Sequence, residues 1–169
     1  MSMRYGSPSI ESELIKLANE PGIEKILFIP LYPHHAERTV TTSIHEAERV
    51  IKKHGVKVSL KTFAPVYNKP EYINALVSSA ATHLQDKEAL DHVLFSYHGL
   101  PELHITKADP SGIHCLKSPD CCQVASPAPA SCYRHQVFET TRLFVEQAGL
   151  SIDQYSVSFQ SRLGRAKWL

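Results

Sequence analysis

Short apolar segments alternate along this chain with amphipathic segments of helical periodicity, and this alternation restricts the fold more than any other feature. Four segments have the composition of buried strands: 25–30, 57–64, 93–98 and 155–159. The most regular helical stripe follows Pro70 and contains Ile73, Leu76, Val77, Ala80, Ala81 and Leu84. Alternating strands and helices form parallel βαβ units. The sequence therefore predicts an α/β fold of parallel, doubly wound lobes with three α/β/α layers.

Local signals refine this pattern. Ser7 is a candidate N-cap and Pro8 suits the first position of a helix, so we expect the first helix to begin there. The stretch from about residue 101 to residue 132 lacks periodicity and is expected to be irregular. A chain of 169 residues has room for one domain or two incomplete ones, and the polar stretch 85–90 is the expected join.

The composition argues against several classes of function. A formal net charge of +1 gives no basis for electrostatic binding of nucleic acid. No apolar run approaches the roughly 20 residues of a membrane-spanning helix, and no signal peptide is visible, so a cytoplasmic setting is expected. Neither a G-x-G-x-x-G motif nor a Walker-type loop is present, which argues against nucleotide chemistry.

Polar and aromatic side chains stand at the ends of the predicted strands. Open parallel sheets bind ligands just beyond the carboxyl ends of their strands, so these side chains are candidates for a binding site. They are Tyr32, Tyr97, His98, Gln160 and Arg162. Aromatic rings cover apolar ligand faces, and an arginine binds a carboxylate through two hydrogen bonds. The set suits a large, flat, partly anionic ligand, while each residue taken singly is also compatible with a structural role.

Four collinear segments resemble the ferrochelatase family, whose members insert ferrous iron into a porphyrin. Phe95–Pro101, followed by Asp109–Pro110, is similar to the family's Ser-x-His-x-Leu-Pro and Gly-Asp-Pro signature, with Ala108 in place of the usual glycine. The other matching segments are Arg4–Pro8, Pro30–Pro33 and Phe159–Arg162 with Trp168–Leu169. The resemblance extends over most of the chain.

The resemblance implies roles for the candidate residues. His98 would be the catalytic residue, and it would either accept a pyrrole proton or ligate the incoming iron. Tyr32 and Tyr97 would form walls for the bound porphyrin. Gln160 and Arg162 would support the substrate near the cleft.

The resemblance also implies that the chain is an internal fragment, incomplete at both ends. Residues 1–88 correspond to the later part of an N-terminal lobe and residues 89–169 to the opening part of a C-terminal lobe. The family's glutamate that faces the histidine is absent from this sequence. We therefore expect the isolated fragment to be inactive and the complete protein to be a ferrochelatase, an enzyme of the lyase class.

All four cysteines lie in one segment, about 111–133, which is longer than in most family members. They are Cys115, Cys121, Cys122 and Cys132. Four thiolates in a short loop suit a zinc ion or an iron–sulfur cluster, and a cytoplasmic setting argues against disulfides. Some bacterial ferrochelatases carry a [2Fe–2S] cluster on an internal insertion, and this segment resembles that variant. Structural zinc, and unligated thiols or disulfides, stay open, and His114 is a weaker candidate ligand.

Other functions also stay open at this stage. The chain could belong to a porphyrin- or metal-binding module without turnover, or to another tetrapyrrole metal chelatase. The expected partners are a porphyrin and ferrous iron. Peripheral association with a membrane and self-association of the chain are further alternatives.

Overall fold

The chain forms two compact units, Met1–Pro65 and Val66–Leu169. A computed structural model describes residues 1–86 and 90–169. Each unit contains one parallel pair of strands with helices packed against it. This arrangement confirms the predicted α/β class. The predicted lobe boundary between residues 88 and 89 lies outside the described residues.

The first unit is built on two parallel strands and two α-helices, and a π-helical turn over Glu37–Thr41 precedes the second of these helices. Strands β1 (Lys25–Phe28) and β2 (Ser59–Thr62) pair in parallel. Strand β2 is shorter than the predicted 57–64. Helices α1 (Ile10–Ala18) and α2 (Thr42–His54) pack together. The buried side chains at their contact are Ile10, Leu14, Ala47 and Val50, with Ile26, Phe28 and Leu60 of the strands packed against them.

Helix α1 begins two residues later than the sequence predicted. Its N-cap is Ser9, whose hydroxyl accepts a hydrogen bond from the backbone N–H of Ser12 at 3.0 Å. Residues Met3 and Pro8 are joined by a backbone hydrogen bond of 2.7 Å, which keeps Pro8 outside the helix. The prediction of a Ser7 cap was therefore wrong, because a second serine nearby satisfies the same capping geometry.

Within its described residues, the second unit contains the other parallel pair and three α-helices. Strands β3 (Val93–His98) and β4 (Tyr155–Gln160) are in register along their whole length. The helices are α3 (Pro70–Ala80), α4 (Glu102–Lys107) and α5 (Tyr133–Ala148). The predicted stripe of α3 supplies Leu76, Val77 and Ala80, and these side chains pack on Phe144, Val145 and Ala148 of α5.

The two faces of β3 have different environments. Val93, Phe95 and Tyr97 face α5, as the edge-to-face contact between Phe95 and Phe144 shows, with ring centroids 5.2 Å apart. Leu94, Ser96 and His98 occupy the opposite face and are exposed. Alternation with period two thus sends His98 away from α5.

The region 101–132 is not wholly irregular. Helix α4 occupies Glu102–Lys107, and a 3₁₀ turn covers Ala128–Ala130. The prediction missed α4 because a helix of six residues is too short to show periodicity. In the part of the chain that the structure describes, no helix is both long and apolar enough to cross a bilayer.

A cluster of charged groups links α1 to α2 and gives a pH-dependent prediction. The Glu11 carboxylate lies 2.8 Å from Lys53 Nζ and 2.6 Å from His54 Nε2. Hydrogen bonds from Lys53 and His54 lower the pKa of Glu11 from 4.5 to about 2. Because the pKa of Glu11 is lower in the folded chain than in the unfolded chain, the ionised carboxylate stabilises the fold at pH values above about 4.5. This contribution is lost as the pH falls from about 4.5 towards 2.

We expect Glu11→Gln to lower the midpoint of thermal unfolding at pH 7 and to reduce the loss of stability between pH 4.5 and pH 2. Circular dichroism melts across this range would measure both effects. Glu13→Gln, on the same helix, is the matched control. An unchanged acid profile in Glu11→Gln would contradict the prediction.

Candidate functional site

His98 lies at the carboxyl end of β3, where the sequence placed it. Its backbone partner in β4 is Gln160, and paired residues of parallel strands point to the same face. Both side chains are exposed. The structure therefore brings two of the predicted site residues together, side by side on an open sheet face.

The peptide that follows His98 is enclosed by backbone. The Gly99 N–H donates to the Gln160 carbonyl at 2.7 Å. A Cβ atom at Gly99 would lie 3.0 Å from that same carbonyl oxygen and 3.5 Å from the Leu169 carbonyl oxygen. Only glycine fits here without displacing the main chain, and this explains why a glycine follows the histidine in the motif.

The last residues of the chain close this end of the sheet. The Glu102 N–H donates to the Lys167 carbonyl at 2.9 Å, and the Leu169 N–H donates to the Leu100 carbonyl at 3.0 Å. These bonds flank an antiparallel bridge between Pro101 and Trp168. The Trp-Leu pair of the matching segment thus holds the turn that follows His98.

The other predicted substrate residues are placed differently. Tyr97 is on the α5 face of β3, opposite to His98, and its hydroxyl lies 2.9 Å from Thr141 Oγ1. Burial raises the pKa of the Tyr97 hydroxyl. Arg162 is exposed just beyond β4, and the Ser161 hydroxyl donates to the side-chain oxygen of Gln160. The roles of Tyr97 and Arg162 in substrate binding stay predictions.

Tyr32 belongs to the first unit. It is exposed and follows β1, where it lines a cavity of about 600 Å³. Apolar side chains of the same segment, Leu27, Ile29 and Leu31, line this cavity as well. An aromatic ring in an apolar cavity suits a flat hydrophobic ligand, and the contact with substrate stays a prediction.

The four cysteines converge within the second unit. We call residues 109–132 the cysteine loop and Cys115, Cys121, Cys122 and Cys132 the thiol cluster. Together with His114, Pro129 and His135 these cysteines line one small cavity. None of them is in a disulfide, and three are buried, with 2–3% of their surface exposed.

The thiols contact one another. The side chain of Cys132 forms hydrogen bonds with those of Cys122 and Cys115. The hydrogen bond from Cys122, followed by one from the backbone N–H of His135, lowers the pKa of Cys132. Burial raises the pKa of Cys115. The cluster therefore combines a stabilised thiolate with protonated neighbours, which is the arrangement of a site that binds a cation by releasing protons.

Arg134 places a positive charge at the rim of the thiol cluster. Its Nη1 donates to Cys121 Sγ at 3.3 Å and to Cys122 Sγ at 3.5 Å. Its guanidinium also covers the ring of Phe138, with Cζ 4.9 Å from the ring centroid. The hydrogen bond with Cys132 and burial raise the pKa of the Cys122 thiol, and the charge of Arg134 opposes this rise.

The histidines of this region bind the backbone. His114 Nε2 lies 2.7 Å from the carbonyl oxygen of Cys121, and His135 Nδ1 lies 3.0 Å from that of Cys122. Among residues 1–86 and 90–169, no three or more His, Cys, Asp or Glu side chains are arranged as a site for a metal ion. In this part of the chain the four thiols thus lie near one another without the arrangement of a metal site.

Two buried polar residues that are not among the predicted site residues organise the loop. Asp109 Oδ2 accepts hydrogen bonds from the backbone N–H groups of His114 and Cys115 at 2.8 and 2.9 Å. Gln136, fully buried, donates to the carbonyls of Pro129 and Ala130 at 3.1 and 3.0 Å. Asp109 was part of a motif and could have been suspected, whereas nothing in the sequence marks Gln136.

Comparison with known proteins gives a consistent result. A family model described as ferrochelatase matches residues 1–169. Ferrochelatases of Stutzerimonas stutzeri (strain A1501), Pseudomonas fluorescens (strain Pf0-1) and Ectopseudomonas mendocina (strain ymp) are 54%, 52% and 51% identical to it. Each alignment covers 100% of this chain and 49% of the relative. The chain therefore spans about half the length of the curated relatives it matches, and the resemblance inferred from its motifs is confirmed.

Asp109→Asn tests how the cysteine loop is held. The asparagine amide would place an NH₂ group where Oδ2 now accepts hydrogen bonds from His114 and Cys115. These two backbone N–H groups would then lose their acceptor. Hydrogen bonds from these backbone groups, with one from Ser111, lower the pKa of Asp109 in the folded state. We therefore expect lower thermal stability and faster amide hydrogen exchange in the cysteine loop.

Asp120→Asn is the matched control, because Asp120 is exposed and lies in the same loop. Hydrogen exchange followed by mass spectrometry would compare the variants. Equal exchange of the loop in Asp109→Asn and Asp120→Asn would contradict the assigned role of Asp109.

Proposed function

Because the chain belongs to the ferrochelatase family, we propose that the protein it forms part of inserts ferrous iron into a porphyrin, a step of heme biosynthesis and a reaction of the lyase class. The observation that carries this proposal is the position of His98. The imidazole stands exposed at the carboxyl end of β3, next to Gln160 and on a sheet face that α5 does not cover.

The residue type fits the chemistry. Pyrrole N–H protons must leave the porphyrin as the cation enters, so a base has to stand above the macrocycle. A neutral imidazole accepts a proton near neutral pH, and it is also a common metal ligand. In our proposal His98 accepts a pyrrole proton or delivers the iron from this face.

The neighbouring residues would bind and orient the substrate. Gln160 lies beside His98, and its side-chain oxygen accepts from the Ser161 hydroxyl, which orients the amide at the end of the sheet. Arg162 follows within two residues, where its guanidinium would bind a porphyrin carboxylate through two hydrogen bonds. Tyr32 would cover part of the macrocycle in the complete protein.

We also propose that the thiol cluster holds a [2Fe–2S] cluster. Four converging thiols, one of them with a lowered pKa, match the all-cysteine donor set of such clusters. Cys115, Cys121, Cys122 and Cys132 would be the ligands, and Arg134 would donate hydrogen bonds towards two of the sulfurs. When bound, the cluster would supply covalent cross-links within the loop. The free state of all four cysteines supports a reducing, cytoplasmic setting as part of this proposal.

His98→Ala should lower the rate of iron insertion by about 100- to 10,000-fold, because this is the contribution of a positioned general base. The assay follows ferrous-iron insertion into a porphyrin by a protein of full family length that contains this sequence. His92→Ala is the matched control, since His92 precedes the same strand at its other end and bonds to Ser156. Unchanged turnover in His98→Ala would refute the role of the histidine. Porphyrin binding without turnover in the unaltered protein would favour a binding module.

The anaerobically purified protein should absorb visible light and contain about two iron and two sulfide ions per chain. Cys121→Ser should remove this absorption, since serine replaces a thiolate ligand. Val124→Ser is the matched control because Val124 is an exposed residue of the same loop. Colourless protein with one tightly bound zinc ion would contradict the [2Fe–2S] proposal and support a zinc site.

A further inference from the structure

One side-chain hydrogen bond connects the candidate base to the segment that carries the cysteines. The Tyr133 hydroxyl donates to the carbonyl oxygen of His98 at 2.9 Å. Tyr133 is the first residue of α5 and directly follows Cys132. The bond joins residues that are 35 positions apart in the sequence.

This bond completes the fixation of one peptide group. The His98 carbonyl and the Gly99 N–H belong to the same peptide unit. Tyr133 binds the carbonyl, while the Gln160 carbonyl accepts from the N–H at 2.7 Å. A peptide held at both its polar atoms cannot rotate freely, so the backbone angles on either side of it are restricted. The direction of the His98 side chain follows from those angles.

Tyr133 itself is held by the cysteine loop. Cys132 is the N-cap of α5, and its Sγ accepts from the His135 N–H at 3.5 Å. The Cys132 N–H in turn donates to the Ala128 carbonyl at 2.8 Å. The Tyr133 ring packs on the buried group that contains Ile105, Cys115, Ala128 and Cys132.

We propose that Tyr133 is a positioning residue that aligns His98 and makes this alignment depend on the state of the thiol cluster. This inference rests on the proposed function. Removal of the cluster would loosen Cys132, and the displacement would reach His98 through the adjacent tyrosine. Misplacement of a catalytic group by about 1 Å lowers rates by about 100-fold, so a small displacement is sufficient.

Tyr133→Phe removes the hydroxyl and leaves the ring in place. In the holo protein of full family length we expect kcat to fall about tenfold, the effect of one lost hydrogen bond, with KM for porphyrin and for iron unchanged. The visible absorption of the cluster should also be unchanged. Tyr155→Phe is the matched control, since the ring of Tyr155 packs on Phe95 at the far end of the sheet.

A spectroscopic measurement reports on the peptide directly. Labelling with carbonyl-¹³C histidine and ¹⁵N glycine selects peptides in which glycine follows histidine. In this sequence these are His54–Gly55 and His98–Gly99. Tyr133→Phe should move the signal of Gly99 and leave that of Gly55, which serves as an internal control.

Coupling to the thiol cluster is tested by a double-mutant cycle. Cys121→Ser should lower kcat by a larger factor in the Tyr133 protein than in Tyr133→Phe, because the variant has already lost the connection. Equal factors would overturn the coupling. Unchanged kcat and an unchanged Gly99 signal in Tyr133→Phe would overturn the positioning role.

Loss of the visible absorption in Tyr133→Phe would also overturn the proposal, since the residue would then support the loop and not His98. Failure of the proposed function gives a different result. In that case the unaltered protein does not insert iron, or His98→Ala inserts it at the normal rate, both with tyrosine and with phenylalanine at position 133.

Discussion

The parallel pairing of β3 with β4 is the interaction on which the candidate site depends. Its register sets His98 beside Gln160 and sends Phe95 and Tyr97 towards α5. A slip of one residue would exchange the two faces, burying the imidazole and exposing the aromatic rings. Burial of Phe95 against Phe144 of α5 opposes such a slip, so packing on one face of the sheet fixes the histidine on the other.

The sequence predicted these elements well because burial imposes a period. Strands β3 and β4 have a core-facing side, and their alternation marked both their extent and the position of His98. The predicted ends of strands and helices were less accurate where contact with a neighbouring segment decides where the element begins or ends. Strand β2 covers only the residues that pair with β1, and the start of α1 depends on which of two serines, Ser7 or Ser9, reaches the helix. The four cysteines were predicted to act together because all of them lie in one short segment.

The contacts that support the site could not be predicted in this way. Gln136 is a polar residue in a helix, and only the folded chain shows that it lies fully buried under the carbonyls of Pro129 and Ala130. Tyr97 is adjacent to His98 in the sequence, yet alternation sends it to the opposite face. Hydrogen bonds between residues distant in the sequence leave no periodic pattern in it, because each depends on one isolated side chain.

The cysteine loop is arranged largely by groups other than its thiols. Asp109 and Gln136 bind backbone at its two ends, and these hydrogen bonds do not require a metal. The thiols are therefore held close together before any ion is bound, which lowers the entropy lost on binding. Burial disfavours the thiolate at Cys115, while Arg134 offsets charge at Cys121 and Cys122. The positive core of the proposed [2Fe–2S] cluster would offset part of the negative charge of four thiolates.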